Sequence, residues 1–213
     1  MSKLRFNITM SLDGFVAGPN QSVENPLGEG GIRLHEWAFA LEAWRKANGQ
    51  DGGEVNASTS VVEESLANIG AYIMGRNMFG GGSGPWPDDP WNGWWGANPP
   101  YHVPVFVLTN HARQPLSMEG GTTFNFVTDG IESTLEQAKE AAGDKDVMLS
   151  GGANVAQQYL AAELIDEMEL HVVPLLLRDG ARLFDNLRND PELEQVRSIE
   201  APGVTHLKYR VVK

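Results

Sequence analysis

Leu4, Phe6, Ile8 and Met10 alternate with Arg5, Asn7 and Thr9 and run up to Asp13-Gly14. That is the period-two pattern of a strand with one buried face, ended by a turn. Phe15, Val16 and Ala17 extend it briefly, and residues 20–32, rich in Gly, Pro, Asn and Glu, predict a surface loop. From Leu34 through Trp37, Ala38, Leu41 and Trp44 the apolar positions step by three and four, which predicts one amphipathic helix over 34–47. Ser58 or Thr59 is expected to cap a second helix through Val62 and Leu66, with Glu63 and Glu64 in its first turns.

Short apolar runs at 71–74, 103–108, 123–127 and 146–149 read as strands, and helical spacing marks 132–142 and 155–164. Residues 167–177 predict one long apolar strand, and 195–212 a terminal pair. This alternation predicts an α/β fold: a central, mostly parallel sheet with an antiparallel C-terminal end and helices on both faces. A chain of 213 residues fits one domain spanning 1–213.

Residues 85–100 are crowded with Gly, Pro and Trp and predict an ordered loop, since four tryptophans are costly to leave in water. Trp86 and Trp95 are candidates to face a flat substrate ring. The plainer reading of the loop is a hydrophobic plug or a subunit contact.

A formal charge of −12 argues against a nucleic-acid or acidic-membrane partner. The chain has no cysteine. That removes disulfides and thiolate chemistry and leads to the expectation of a reducing, cytoplasmic setting. The first residues carry no signal-peptide pattern, and the longest apolar runs fall far short of the roughly 20 residues of a membrane span. The five histidines are scattered, so no metal site is expected.

Three strand ends run into turns: MGRN at 74–77, LTNH at 108–111 and SGGAN at 150–154. In open α/β sheets ligands collect at carboxyl ends of strands, so the three predict one shared pocket. Gly151-Gly152 before a helix admits close approach of a phosphate to backbone N–H groups, although a Gly-Gly pair also serves as a plain tight connection. Arg76, with Thr109 and Asn110, offers donors for a 2′-phosphate; its other reading is a surface or capping arginine. Asp13 either contacts substrate or bonds the backbone of its own Asp-Gly turn.

The strings SLDGFVAGPN (11–20), IMGRNMF (73–79), VFVLTNH (105–111), VMLSGGANVAQQYL (147–160) and ELHVVPLLLRDGARLF (169–184), in this order, resemble the dihydrofolate-reductase-like proteins of the riboflavin-pathway reductase family. The resemblance covers nearly the whole chain. It implies NADPH as cofactor, held by Gly75, Arg76 and Asn77 at the adenosine side and by Thr109 and Asn110 near the 2′-phosphate. It further implies the pyrophosphate at Ser150, Gly151, Gly152, Ala153, Asn154 and Val155. Thr9, Val16 and Ala17 would lie against the nicotinamide, with Asp13 as the candidate catalytic and substrate-contacting acid.

The implied activity is hydride transfer to a small heterocycle, similar to the reduction of 5-amino-6-(5-phosphoribosylamino)uracil in riboflavin biosynthesis. No zinc-deaminase signature can be written without cysteine. Dihydrofolate reduction is the alternative substrate class, weakened because neither Glu36 nor Glu42 stands in a matching acid motif. A nucleotide-binding protein without chemistry is the non-enzymatic alternative, and a deazaflavin donor stays open. The resemblance also implies a homodimer formed through the long C-terminal strands, with residues 172–177 contributing.

Overall fold

In the computed structural model, which describes residues 2–187 and 190–213, the first strand β1 (Leu4–Ser11) turns at Asp13-Gly14 into β2 (Phe15–Ala17). The segment expected as one helix over 34–47 is in fact three pieces. These are a 3₁₀ turn (Gly31–His35), α1 (Glu36–Phe39) and α2 (Glu42–Ala47). The break has a local cause: Leu41 is extended (φ −73°, ψ 139°) and bridges Glu54, with Glu42 N–H donating to the Glu54 carbonyl and Glu54 N–H to that of Ala40.

Helix α3 (Ala57–Leu66) is capped by Asn56, two positions before the earlier of the two expected caps. The Asn56 side chain accepts from Ser58 N–H at 2.9 Å and the Asn56 N–H donates to Thr59 Oγ1 at 3.1 Å, a reciprocal capping box.

The chain continues through β3 (Ile69–Gly75), α4 (Arg76–Phe79), β4 (Pro104–Leu108), β5 (Leu116–Ser117), β6 (Thr123–Val127), α5 (Ile131–Ala142), β7 (Asp146–Leu149) and α6 (Ala153–Ala161). It ends in β8 (Glu167–Val173), β9 (Ala181–Arg182), β10 (Leu193–Ala201) and β11 (Val204–Val211). Nine strands form one sheet in the order β10-β11-β8-β1-β7-β3-β4-β6-β5, and β2 pairs with β9. The six strands from β8 to β6 are parallel, and β11, β10 and β5 are antiparallel additions.

Register assigns each side chain to a face. Phe6, Leu149 and Ile73 align across the sheet and pack with Phe106, Leu135 of α5 and Tyr159 of α6. On the opposite face Arg5, Met148, Tyr72 and Val105 align. A second core of Met74, Phe79, Val105, Val107 and Phe124 forms there under the tryptophan loop. Asn7 and Thr9, two and four residues beyond Arg5, share this second face with their partners Glu169 and His171.

The expected long strand over 167–177 stops at Val173, where Leu175 N–H turns back to the Val173 carbonyl at 2.7 Å. Val173 and Leu175 are then buried with Leu34 and Val204 inside the chain, leaving Pro174 and Leu176 as the exposed residues of that run. Residues 172–177 are therefore largely used within the protomer. The sheet edges are β10 and the two-residue β5, and on β10 Leu193 and Val196 are exposed.

Candidate active site

A cavity of about 810 Å³ opens along the carboxyl ends of the parallel strands, within the range of small-molecule sites. All three turns singled out in the sequence reach it. Its wall includes Thr109, Asn110, Ser150, Gly151 and Gly152, together with Ala153, Asn154 and Val155 in the first turn of α6. Gly75, Arg76 and Asn77 line it at the end of β3, and Thr9, Val16 and Ala17 line it from β1 and β2. His35, the loop residues Pro26 and Leu27, and Trp94 and Trp95 complete the wall described here.

The backbone at the ends of β3 and β7 is tied together before any ligand is considered. Gly75 N–H donates to the Gly151 carbonyl at 3.0 Å, and Ser150 N–H donates to that of Ile73 at 2.9 Å. Gly151 has φ +113°, a region that favours glycine, and the Gly151-Gly152 peptide is cis. A Cβ on Gly75 would stand 2.6 Å from Val155 Cγ2, whereas one on Gly152 would meet nothing within 4 Å and would project into open cavity. That bare backbone, at the start of a nine-residue helix with its unpaired N–H groups, fits a pyrophosphate.

Arg76 is corrected by the structure. Its Nε donates to the Gly82 carbonyl at 2.7 Å, Nη2 donates to that of Gly81 at 3.1 Å, and the guanidinium stacks over Trp86 at 3.0 Å from the ring centroid. The remaining nitrogen, Nη1, is buried without a partner. Burial, and then the charge of Arg113, lower its pKa to about 10, which leaves it cationic at neutral pH. Although Arg76 borders the cavity, its fork clamps the 80–82 turn and is not free for a 2′-phosphate. Arg76→Ala is expected to cost roughly 2–3 kcal/mol of stability, the scale of lost charged hydrogen bonds, while leaving the NADPH-to-NADH affinity ratio unchanged. Urea unfolding and calorimetry with both dinucleotides check the two halves of that expectation.

Trp86 is the second correction. It does not line the cavity: its face carries Arg76, and its Nε1 donates to the His111 carbonyl at 2.9 Å. Trp91 and Trp94 likewise donate to the carbonyls of Phe79 and Met78. Trp95 does line the cavity, with its ring stacked on Phe124 at 5.8 Å, and Trp94 joins it there. The loop is thus a hydrophobic plug with two of its rings turned to the cavity.

Asp13 is the third. It is absent from the cavity wall, and its carboxylate accepts from Ser11 Oγ at 2.6 Å, Leu177 N–H at 3.1 Å and Arg178 N–H at 2.8 Å. Burial pushes this carboxyl up, but the donors from Ser11, Arg178 and Leu177 outweigh it and hold its pKa below the ordinary value. Asp13 fastens the end of β1 to the segment after β8, across 164 residues of chain. Asp13→Ala is expected to lower the thermal midpoint and leave dinucleotide affinity unchanged, which a melting curve and a titration would read.

His35 is the cavity residue that sequence reasoning passed over. Its Nδ1 is buried without a hydrogen-bond partner, and the residue borders the cavity. Burial lowers its pKa, and the Gly31 carbonyl only partly opposes this. Glu36 and Glu42 line no part of the cavity. Beneath His35, Trp37 packs on both His171 and His206 at 5.0 Å. These two imidazoles form a buried chain in which His171 Nε2 meets Asn7 Oδ1 at 2.6 Å, the two Nδ1 atoms meet at 2.7 Å, and His206 Nε2 meets Ser58 Oγ at 2.9 Å. Asn7 Oδ1 can only accept, so with both rings neutral the protons run one way: Ser58 to His206 to His171 to Asn7.

Comparison with known proteins agrees with the fold. A solved riboflavin biosynthesis protein from Shewanella is 22% identical over the full length of both chains with a TM-score of 0.62. The deaminase/5-amino-6-(5-phosphoribosylamino)uracil reductase of Thermotoga maritima superposes at 0.58 with 13% identity, over 99% of this chain and 57% of that one. A dihydrofolate reductase of Enterococcus faecalis, solved with NADP(H), superposes at 0.52 with 13% identity over 99% and 97%. Bacillus subtilis YyaP, an uncharacterized protein, is 29% identical over 85 residues, 39% of this chain and 45% of its own length. The match therefore spans about half of that relative. The model of the RibD C-terminal domain, in contrast, matches residues 2–207, a span that takes in all three strand-end turns, and this chain is a member of that family.

Proposed function

We propose that this protein is an NADPH-dependent reductase of a small heterocyclic substrate. The family is one of NAD(P)H-dependent reductases, and the observation that carries the reading here is the glycine cradle. Gly152 presents bare backbone to a cavity at the start of α6, where a doubly phosphorylated dinucleotide is held by N–H groups and the positive end of the helix.

NADPH, when bound, supplies a hydride to the substrate. The chain's own residues bind and orient. Gly151, Gly152 and Ala153 take the phosphates, Thr109 and Asn110 meet the adenosine end, and Thr9, Val16 and Ala17, which line the same cavity, lie against the nicotinamide. With Arg76 engaged elsewhere, selection of the 2′-phosphate falls to Thr109 and Asn110. Proximity and exclusion of water carry the rate, since the difficult chemistry belongs to the cofactor.

Calorimetric titration with NADPH tests the reading. A single site with dissociation constant in the micromolar range is expected; no heat at millimolar cofactor would end it. We also propose that two copies pair along the free β10 edge, which light scattering would contradict by finding only monomer. Among the described residues no helix is long and apolar enough to cross a membrane.

A further inference from the structure

The chain holds two Asn-Gly pairs, Asn48-Gly49 and Asn92-Gly93. In such a pair the backbone nitrogen of the glycine can attack the asparagine side-chain carbonyl, because glycine carries no Cβ to obstruct the approach. The fold prepares the two pairs oppositely. At Asn48, just after α2, both nitrogens of that reaction are engaged: Nδ2 donates to the Trp44 carbonyl at 2.9 Å, and Gly49 N–H donates to that of Lys46 at 3.1 Å. At Asn92, in the tryptophan loop, Nδ2 and the Gly93 N–H have no hydrogen-bond partner among the described residues. It is the carbonyl oxygen that is held there. Arg113 Nη2 donates to Asn92 Oδ1 at 2.6 Å, while Nη1 of the same guanidinium donates to the Trp91 carbonyl at 2.5 Å. The guanidinium also lies 4.8 Å and 4.9 Å from the ring centroids of Trp86 and Phe126, which fixes its place. A cation fixed against a carbonyl oxygen stabilises the negative charge that gathers there when a nucleophile adds to the carbon. Asn92 is exposed, so water reaches it. Glycine is also required at 93, where φ is +98° and a Cβ would stand 3.0 Å from Trp95 Cε3.

We propose that Asn92 is a self-modification site, converted through a cyclic imide to aspartate and its β-linked isomer, with Arg113 stabilising the charge that develops on Oδ1. The Gly93 nitrogen gives its proton to solvent hydroxide and bonds to Asn92 Cγ, and the carbonyl π pair moves onto Oδ1 against Arg113. That pair returns as the Cγ–Nδ2 bond breaks, and Nδ2 takes a proton from solvent and leaves as ammonia. Water then adds to either carbonyl of the imide and opens the ring, so nothing is oxidised or reduced. The product carboxylate is an anion beside Arg113 where the amide was neutral, and a charge-assisted pair favours it. In the β-linked product the main chain is one methylene longer between Trp91 and Trp94. Those two indoles donate to the carbonyls of Phe79 and Met78, and Trp94 lines the cavity, so the modification alters the cavity wall.

Ageing of the full chain tests this. The protein is held at neutral pH for several weeks, folded in buffer and, in parallel, unfolded in concentrated urea, and its tryptic peptides are followed by mass spectrometry. Asn48 and Asn92 fall in different peptides, since Arg76 lies between them. Folded Asn92 is expected to lose its amide at least tenfold faster than folded Asn48. It is also expected to outpace Asn92 of the unfolded chain, where the contact with Arg113 is gone, whereas Asn48 is expected to be slower folded than unfolded. Arg113→Gln is expected to slow Asn92 about fivefold or more and to leave Asn48 unchanged. An amide kept at 92, equal rates at the two folded sites, an unfolded chain that converts Asn92 as fast as the folded one, or a folded Arg113→Gln protein that reacts like the parent would overturn the proposal. Should Arg113→Gln not fold, the comparison of folded and unfolded parent decides by itself.

Discussion

Gly152→Leu is expected to raise the NADPH dissociation constant at least 100-fold, equivalent to about 2.7 kcal/mol of lost binding, with the unfolding midpoint in urea almost unmoved. The reason is the geometry of the cradle. Gly152 has φ −57° and ψ 177°, values open to any L residue, and a Cβ there meets no atom of the protein within 4 Å. A side chain there would therefore start in open space and extend into the room a pyrophosphate needs. Gly75→Ala is the informative control: its Cβ would lie 2.6 Å from Val155 Cγ2, an overpacking of the kind that costs roughly 1–3 kcal/mol of stability. Calorimetry and urea unfolding on the same two proteins separate a blocked site from a strained one. If Gly152→Leu binds NADPH as the parent does, the phosphates do not sit at this turn.

Acid sensitivity is the second large effect, and it comes from the imidazole chain under Trp37. Burial pushes His171 down to about 3, with the charges of His206 and His35 adding to it, and burial followed by Arg197 pushes His206 down to about 4. Both folded values lie below the ordinary 6.5. Below 6.5 the unfolded chain thus binds protons that the folded chain refuses. Stability is full above pH 6.5 and falls as pH drops toward 4, by about 1.4 kcal/mol per pH unit for each imidazole taken alone. The two share one hydrogen bond and cannot respond independently, so the combined loss by pH 4 is on the order of 4 kcal/mol. That is a large part of the 5–15 kcal/mol typical of a domain.

Glu64 does not confound this window. Hydrogen bonds from Lys208 and Arg197 hold it at about 2 against an ordinary 4.5, so its contribution is kept above 4.5 and lost only as pH falls further toward 2. Urea unfolding at pH 7.5, 6.0, 5.0 and 4.5 measures the slope. A change below about 0.5 kcal/mol per unit between 6.5 and 4.5 would mean that the pair is not buried and neutral.

Most strands were legible because their apolar residues obey a period of two or form runs bounded by glycine. The strand-end turns were legible because a sheet places carboxyl ends together whatever the loops between them do. Leu41 was not, since its extended conformation depends on Glu54, a partner thirteen residues on that no periodicity announces. The two-residue strands Leu116–Ser117 and Ala181–Arg182 are too short to carry a pattern.

Of the candidate site residues, those fixed by backbone geometry, Gly75 and Gly151 to Val155, were readable as small or polar residues after a strand. Residues whose role depends on distant acceptors were not. Asp13 is satisfied by amides 164 residues away, and the carbonyls that hold Arg76 exist only once residues 80–82 have turned. His35 gave no signal because a lone histidine in a polar helical stretch looks like any surface residue until the cavity forms beside it.

Strand β1 lies between β7 and β8 in the sheet, although more than 130 residues of chain separate it from either neighbour. During synthesis at about 5–20 residues per second, its apolar face waits on the order of ten seconds for Asp146–Leu149, the first of those neighbours, to leave the ribosome. A strand made well before both of its partners is thus secured late, and overproduced protein should depend on chaperones that shield nascent chains.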